Sequence, residues 1–549
     1  MDWGTRRNTW CRLTDTSMAH APIERNIKSM YTNELWDEYV EKVENDFQLK
    51  TYPQFDPYFD FPTHKERLQT ILSDPTFGRI KQYGFSPLLK VLQKTPRYRY
   101  QVGEDDYGLE TKIRPILFAS HFDTYIYGFY AYALNKYYQS YIKSISIDEV
   151  VLAYRSDLDG KCNIQFSKET FEEVDNMIDL HGECSVITLD IKGYFDHIDH
   201  EILKQMWGKV IGKNKLPADQ YKVFRSLTKY SYVNYKSFLK HFKINLRRYE
   251  RKQKKKYKYK KGYDKGYQSL FDFIPSTLNG STYNDKMEIL RKRNLITLNR
   301  KRDRTLSKNG IPQGSAMSAV LSNVYLIDFD KQIVEKGKKE GFVYRRYCDD
   351  LMIICKKEDV NRLKNFLMDL INDEYKLTIQ DKKTDVIDFK TSMTGKLRSF
   401  KRQYNETTKM FDELPNENKN FKNLQYLGFE YNGQNIYIRP SSLSRYFRKL
   451  KARVVKTVMM AYSKNSKSDK IFKQQLYSRY THFGKRNFLT YATNASKKYY
   501  INSKKERKDG MDSPSIRRQI AAHMRILKQE IEKTSMQRAK QKGIKNVKY

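Results

Sequence analysis

No stretch of the 549 residues stays apolar for more than a handful of positions; the run from Leu351 to Cys355 is typical. A bilayer span needs ~20 such residues, so no membrane-embedded segment is expected. The opening residues, MDWGTRRNTWCRL, hold no apolar core of signal-peptide length. Export is therefore not expected, and the cytoplasm is. Cysteine is scarce: Cys11, Cys162, Cys184, Cys348 and Cys355 form no C-x-x-C pair. That spacing excludes a Cys-rich zinc site and a disulfide framework and fits reduced thiols. Acidic residues are thin in two places. The whole chain has 104 Lys+Arg against 64 Asp+Glu, a formal charge of +40. Residues 240–267 carry 13 Lys/Arg against 2 acids, and residues 441–549 carry 29 against 6. The remainder is close to neutral.

Charge kept only for solubility need not be so concentrated, and a polyanion partner explains it better. Both basic regions interleave rings, among them Tyr257, Tyr259, Tyr446 and Tyr480. Single-stranded nucleic acid uses that pairing, cation for phosphate and ring for base. A membrane surface would need an amphipathic apolar face, which residues 240–267 lack. Composition, at 39% hydrophobic, supplies enough apolar material for sizeable cores. The length suits about three or four domains, or two large ones.

Along the chain, residues 1–100 read as mixed helix and loop. FDTYIYGFYAYALNKYYQSYI repeats its apolar positions at helical spacing and predicts a buried helix. ECSVITLDIKGYFDHIDH begins as a β-branched run and ends as a helix start. The basic segment 235–308 has weak periodicity and reads as an insertion. GIPQGSAMSAVLSNVYLIDFDKQI predicts a turn and then one helix of ~20 residues. GFVYRRYCDDLMIICK predicts two strands about a tight acidic turn. An amphipathic helix over 361–375 follows, then short strands in KLTIQDKKTDVIDF and NLQYLGFEYNGQNIYI. The last ~110 residues read as basic and mostly helical. There is no internal repeat.

Two acidic sites stand where an apolar strand stops. Val186-Ile187-Thr188-Leu189 leads into Asp190; Tyr347-Cys348 leads into Asp349-Asp350, with Leu351-Met352-Ile353-Ile354 beyond. Carboxylates at the rim of a core are costly unless something positive compensates. Oxygen ligands suit Mg²⁺ or Mn²⁺. An Asp pair also shapes ordinary turns, so the other segments decide. Asp196, Asp199 and His200 read as the cap and start of a helix, and His181 and His197 as structural residues.

Six segments stand in the order found in reverse transcriptases of the group II intron and retron type. KIRPI (112–116) resembles the fingers motif, and LDIKGYFDHIDH (189–200) the first catalytic motif. GIPQGSAMSAVLSN (310–323) is similar to the PQG motif, and YCDD (347–350) to the second catalytic motif. LTIQDKKT (377–384) resembles the lysine motif that follows, and YLGF (426–429) the primer grip. The resemblance covers about residues 110–430. It implies an α/β (α+β) right-hand polymerase, with an antiparallel palm sheet on helices and a basic helical thumb. The expected division is an N-terminal extension (1–100), fingers and palm (101–435, with the basic insertion 235–308) and a thumb and C-terminal region (436–549).

The resemblance also implies the site. Asp190 and Asp349 would bridge two Mg²⁺ ions, with Mn²⁺ as a substitute, and Asp350 would support them. The Ile191 carbonyl would complete one coordination shell. Lys112 and Arg114 would clamp the triphosphate. Phe195 would lie under the incoming sugar and collide with a 2′-hydroxyl, favouring dNTPs. Gln313 and Gly314 would bring backbone close to template base and nucleotide. Lys383 would protonate or neutralise the leaving pyrophosphate. Tyr426, Leu427 and Gly428 would form the hairpin under the primer end. Where the family usually has proline after the serine of the PQG helix, this chain has Ala319 after Ser318.

No Cys/His cluster follows residue 429, the NAxxH and VTG signatures of retron enzymes are absent, and no RNase H-like array of acids follows the primer grip. That combination resembles the bacterial unknown-group reverse transcriptases, including the antiphage and abortive-infection classes. It implies RNA as partner, a dedicated noncoding RNA, with a DNA product and dNTPs. Priming by a protein hydroxyl and repetitive or untemplated synthesis are within that class, and a homo-oligomer is compatible with it. A retron or intron-type enzyme making templated cDNA is the alternative. From other classes come an RNA-binding scaffold with a vestigial site and an RNA-dependent RNA polymerase.

Overall fold

Short β-branched runs supply the strands of two sheets, and the acidic ends of one of them meet at a single edge. The structure is a computed structural model that describes residues 29–45, 52–56, 61–74, 76–101, 106–245, 269–274, 282–299, 305, 307–380, 383–414, 420–463 and 470–543. In chain order the strands of the two larger sheets are β1 (Leu88–Gln101), β2 (Asp106–Phe118), β3 (Cys184–Asp190), β4 (Ser231–Asn234), β5 (Ile296–Leu298), β6 (Val343–Tyr347), β7 (Asp350–Cys355), β8 (Asp385–Thr391) and β9 (Leu397–Lys401).

The first sheet runs β2-β1-β4-β5 and is built on the long β1–β2 hairpin. The second runs β6-β7-β3-β8-β9 and is antiparallel throughout. Its central strands are apolar on both faces because helices cover them, which is why β3 and β7 read as continuous runs rather than alternating ones. The mixed architecture matches the α/β expectation, with helices packed on an antiparallel sheet.

The helix His121–Ser144 is buried over most of its length, Tyr125, Ile126, Phe129, Leu134 and Tyr138 included. It shares one core with the N-terminal helices Asn33–Asn45 and Phe61–Leu72 and with the β6–β7 hairpin. A second core joins the other face of the sheet to the C-terminal helices, from Pro440–Ala461 to His523–Lys542.

Several elements differ from the sequence expectation. The hundred residues read as helix and loop end in β1. Instead of one helix after the PQG turn, two follow, Ala316–Tyr325 and Ile327–Glu340. The Leu326 N–H reaches back to the Asn323 carbonyl, an i→i−3 tightening that re-aims the chain. The strand expected near 377–384 reduces to one bridge, Ile191 to Ile379, and β8 starts at Asp385. Segment 235–308 contributes β5 and the helix Tyr283–Lys292 to a small third core, in which Phe238, Leu270 and Leu290 join Phe55, Leu89 and Val233. The basic Tyr/Lys run lies mostly outside the described residues, as does Tyr549. Among the helices of the basic C-terminal region stands a hairpin, Tyr499–Ile501 with Arg507–Asp509.

Asp123, in the first turn of the helix His121–Ser144, is fully buried and accepts from the Tyr83 hydroxyl (2.7 Å) and the Ser86 N–H (2.9 Å). Burial pushes its carboxyl up to about 7, against the pull of those hydrogen bonds. The folded state therefore holds a proton that the unfolded chain releases near pH 4, and stability falls as pH rises from about 4 to about 7. Asp123→Asn removes that proton. The melting temperature of the native protein should fall by about 2 °C or more, relative to the variant, between pH 5 and pH 8. An unchanged difference across that window would refute the assignment.

Candidate active site

Register places the acids. β3 pairs with β7 so that Asp190 stands directly opposite Asp350, with Leu189 opposite Leu351. Residues opposed in this way project from the same face of the sheet, so the two carboxylates share one face. Cys348 and Asp349 form the turn between β6 and β7, with Cys348 at φ 59°. The Ile191 N–H donates to the Asp349 carbonyl at 3.2 Å, fixing the turn against the end of β3. The segment after the helix Val360–Asp373 closes the other side: Gln380 N–H donates to the Asp190 carbonyl (2.8 Å), and Lys192 N–H to the Thr378 carbonyl (2.8 Å).

The electrostatics follow from that crowding. Burial, then the charge of Asp190, raises the Asp349 carboxyl. Asp350 is pushed up to about 7 by loss of surrounding water and then by Asp349 and Asp190. Its side chain still opens to solvent, so the repulsion is partly screened. Lys383 answers the charge directly, its ammonium 2.5 Å from an Asp190 oxygen. Arg439 is the other cation that steadies the Asp350 carboxylate.

Three carboxylates against these cations form an oxygen-only donor set, the kind that suits a hard divalent ion. Among the described residues, however, no three Asp, Glu, His or Cys side chains are drawn together as a ready metal-binding group. Asp190 is engaged by Lys383. The four described cysteines at 162, 184, 348 and 355 are free thiols.

The PQG turn is stitched to the fingers hairpin. The Leu117 N–H of β2 donates to the Gln313 carbonyl at 2.9 Å. Gly314 sits at φ 122°, and a Cβ there would lie 2.9 Å from Ile116 Cγ2 and 3.1 Å from the Leu117 carbonyl oxygen. Glycine is required on both counts. Ser315 caps the helix that follows and Ser318 Oγ donates to the Pro312 carbonyl at 2.6 Å. The helix thus forms with Ala319 in place of the usual proline.

Lys112 and Arg114, two residues apart on β2, share a face of the hairpin. Lys112 is depressed by burial first, then by the positive charges of Arg114, Arg97 and Lys383, with Asp190 opposing. Lys112 therefore lies within electrostatic reach of Asp190. Phe195, half-buried, is tied to the PQG segment through its carbonyl, which accepts from Ile311 N–H at 2.8 Å.

Asp199 caps the helix His200–Val210, accepting from the N–H groups of Glu201 and Ile202. His200 is buried with Nε2 2.8 Å from the Gly310 carbonyl. Both are structural, as expected.

Leu424–Tyr426 and Phe429–Tyr431 close on Leu427 and Gly428, both at positive φ (42° and 98°). That geometry belongs to a tight type I′ hairpin turn. The turn is held from behind by Asn163 Nδ2 and Ser167 Oγ, donating to the carbonyls of Leu427 and Tyr426 at 3.4 Å each. Burial, and then the negative charge of Asp350, raises the Tyr426 hydroxyl.

Two features had no signal in the sequence. Behind the Cys348–Asp349 turn, Arg346 and Asp330 are fully buried and joined by Nε–Oδ1 (2.8 Å) and Nη2–Oδ2 (2.5 Å) bonds. Arg346 Nη1 donates to the Cys348 carbonyl (3.3 Å) and to Asn323 Oδ1 (3.1 Å). Tyr154, at φ 60° and partly exposed, lies beside Cys348 and Asp349.

Among the described residues, no helix is long and apolar enough to cross a membrane. Residues 260–431 match the model of the family described as reverse transcriptase (RNA-dependent DNA polymerase). That span holds the PQG turn, the Asp349-Asp350 turn, Lys383 and the 426–428 hairpin; Asp190, Lys112 and Arg114 precede it. No curated protein matches the chain. Among solved structures, telomerase from Candida albicans with the TWJ fragment of telomeric RNA is similar at 12% identity and a TM-score of 0.35, covering 92% of this chain and 66% of that one. Apo telomerase from Candida tropicalis, truncated from its C-terminal domain, gives 9% and 0.34, covering 70% and 61%. This chain thus spans less than two thirds of the length of these telomerases. The chain carries a reverse transcriptase domain, the domain of RNA-directed DNA polymerases, which are nucleotidyltransferases.

Proposed function

We propose that the protein synthesises DNA from dNTPs on RNA by metal-assisted nucleotidyl transfer. The observation that carries this reading is the facing of Asp190 and Asp350 across β3–β7, in a chain whose PQG turn is bonded to the strand that holds Lys112 and Arg114. Asp190, Asp349 and Asp350, with the Ile191 carbonyl, would hold two Mg²⁺ ions, which supply charge neutralisation at the attacking 3′-oxygen and the leaving pyrophosphate. Lys112 and Arg114 bind the triphosphate. Lys383, already on Asp190, gives its proton to the pyrophosphate as it departs. Phe195 excludes the 2′-hydroxyl, and the Tyr426–Gly428 turn supports the primer end.

The finer reading rests on motif resemblance: a cytoplasmic bacterial enzyme of the unknown-group lineage, working with a dedicated noncoding RNA in defence against bacteriophage. Protein-primed or repetitive synthesis belongs to the same proposal. It is supported by the absence of a Cys/His cluster after residue 429 and by the concentration of basic charge in two segments.

Sequencing the nucleic acid that co-purifies from the native host, with and without RNase and DNase, tests it. One abundant RNA with complementary DNA is expected; absence of any DNA product would overturn it. Nucleotide choice gives a second check in vitro. Phe195→Ala should erode the preference for dNTPs over rNTPs by about 10-fold or more. Unchanged discrimination would remove Phe195 from the sugar pocket.

A further inference from the structure

The hairpin formed by Tyr499–Ile501 and Arg507–Asp509 stands apart from the helices around it. Its register pairs Tyr499 with Asp509 and Ile501 with Arg507. Alternation along the strand turns Tyr500 towards the protein, where it joins the second core and its hydroxyl accepts from Gln165 Nε2 (3.4 Å). Tyr499 and Ile501 therefore face outward, 50% and 59% exposed. The Arg507 guanidinium lies 4.3 Å from the centre of the Tyr499 ring, the spacing of a cation–π pair. Lys497 and Lys498 lead into this strand, and Lys504 and Lys505 lie in the loop at its other end, all four exposed. Asn502 Oδ1 accepts from the N–H groups of Lys504 and Glu506 (2.9 and 3.0 Å), and Lys505 takes φ 65°. The loop is a built one that holds its two lysines outward.

The placement of the hairpin gives it meaning. The first turns of the helix Asn163–His181 bond both to it and to the candidate primer-grip turn. Gln165 donates to the Asp509 carbonyl, and Lys168 pairs with the Asp509 carboxylate at 3.4 Å. The same turns give Asn163 and Ser167 to the carbonyls of Leu427 and Tyr426. Lys508 anchors the far strand on the Asp159 carbonyl. One short stretch of helix thus fixes a basic, ring-bearing surface beside the turn assigned to the primer end.

We infer that this hairpin is a further binding surface for unpaired DNA of the primer strand, stacking a base on Tyr499 and taking phosphates on Lys504 and Lys505. The inference rests on the polymerase reading above for the strand it names. Ring stacking and cation pairing are the two contacts that single strands offer irrespective of sequence. A protein partner with an acidic face would use the lysines and leave the Tyr499 ring idle.

Binding of a fluorescein-labelled single-stranded oligodeoxynucleotide to the full chain tests it, by anisotropy at several salt concentrations. Tyr499→Ala should weaken binding about 5-fold or more, with Tyr499→Phe close to native. Lys504→Ala with Lys505→Ala should flatten the slope of log K against log salt by roughly 1.4 units, about 0.7 for each phosphate contact on a single strand. The KM for dNTP at saturating primer–template should not move in either variant. Affinity within about 2-fold of native for Tyr499→Ala, with an unchanged salt slope, would overturn the inference. Selective loss of binding to RNA of the same sequence would overturn the assignment to the DNA strand. Native protein that fails to incorporate dNTPs, while the variants still lose single-stranded DNA, would sink the polymerase reading and leave the surface standing.

Discussion

With Asp349 replaced by Asn, dNTP incorporation should fall about 10³-fold, while the protein melts no lower than the native chain when divalent ions are chelated. The first half follows from charge: the substitution keeps the shape of the turn and removes one of three carboxylates from a site whose chemistry depends on them. The second half follows from the same charge. Burial and Asp190 already disfavour the ionised Asp349 side chain, so a neutral isostere relieves repulsion that the folded state bears. The Cys348–Asp349 turn is held by backbone, through Ile191 N–H and the Asp349 carbonyl, and an Asn retains that bond. Adding Mg²⁺ then separates the variants without any activity measurement. A ligand that binds only the folded state raises its stability with concentration, so Mg²⁺ should lift the melting temperature of the native protein more than that of Asp349→Asn. Equal Mg²⁺ responses, or near-native incorporation, would remove Asp349 from the metal-binding set.

How far this site was legible depends on how local its causes are. Asp190 and Asp349-Asp350 stood out because an apolar strand that ends in a carboxylate is costly, but an Asp pair also shapes ordinary turns, and only the six ordered segments made them a candidate site. Their pairing is a matter of register, and register follows from which residues must stay buried; Leu189 and Leu351 settle it. The resemblance implies that Gly314 lets backbone approach template base and nucleotide; the close approach that the structure shows is a different one, to Ile116 and Leu117 of β2.

The break at Leu326 was not legible, because residues 316–340 keep an apolar face on both sides of it. The hairpin at 499–509 was hidden for another reason. Three residues are too few for period-two alternation to stand out against helix, and the lysines around it blend into a basic region. Arg346 and Asp330 were invisible for a third: each reads alone as a surface charge, one inside a strand and one inside a helix, and only folding brings them together.

That pair carries the largest stability effect expected in the molecule. Asp330→Ala leaves the Arg346 guanidinium fully buried with its charge unanswered, and loss of one partner of such a pair costs about 3–5 kcal/mol. The Tyr344 hydroxyl, which donates to Asp330 at 2.8 Å, loses its acceptor as well. Urea unfolding should show the deficit as a lowered midpoint. Replacing both, as Asp330→Leu with Arg346→Met, removes the two charges together, and exchanges of this kind are often neutral for stability. Catalysis should not recover with stability. Arg346 Nη1 holds the Cys348 carbonyl, one residue before Asp349, and also the Asn323 side chain, whose amide donates to the Ala153 carbonyl at 2.7 Å beside Tyr154. Methionine can fill the space and cannot make those bonds. The double variant is thus expected to recover most of the lost stability, short of the Tyr344 hydroxyl's missing acceptor, and to incorporate dNTPs about 10-fold or more slowly, the loss that misplacement of a reacting group brings. Full activity in a stable double variant would mean that the ion pair only fills the core. Activity lost in proportion to stability would mean the same. Stability restored with activity still lost identifies Arg346 as the residue that positions the catalytic turn.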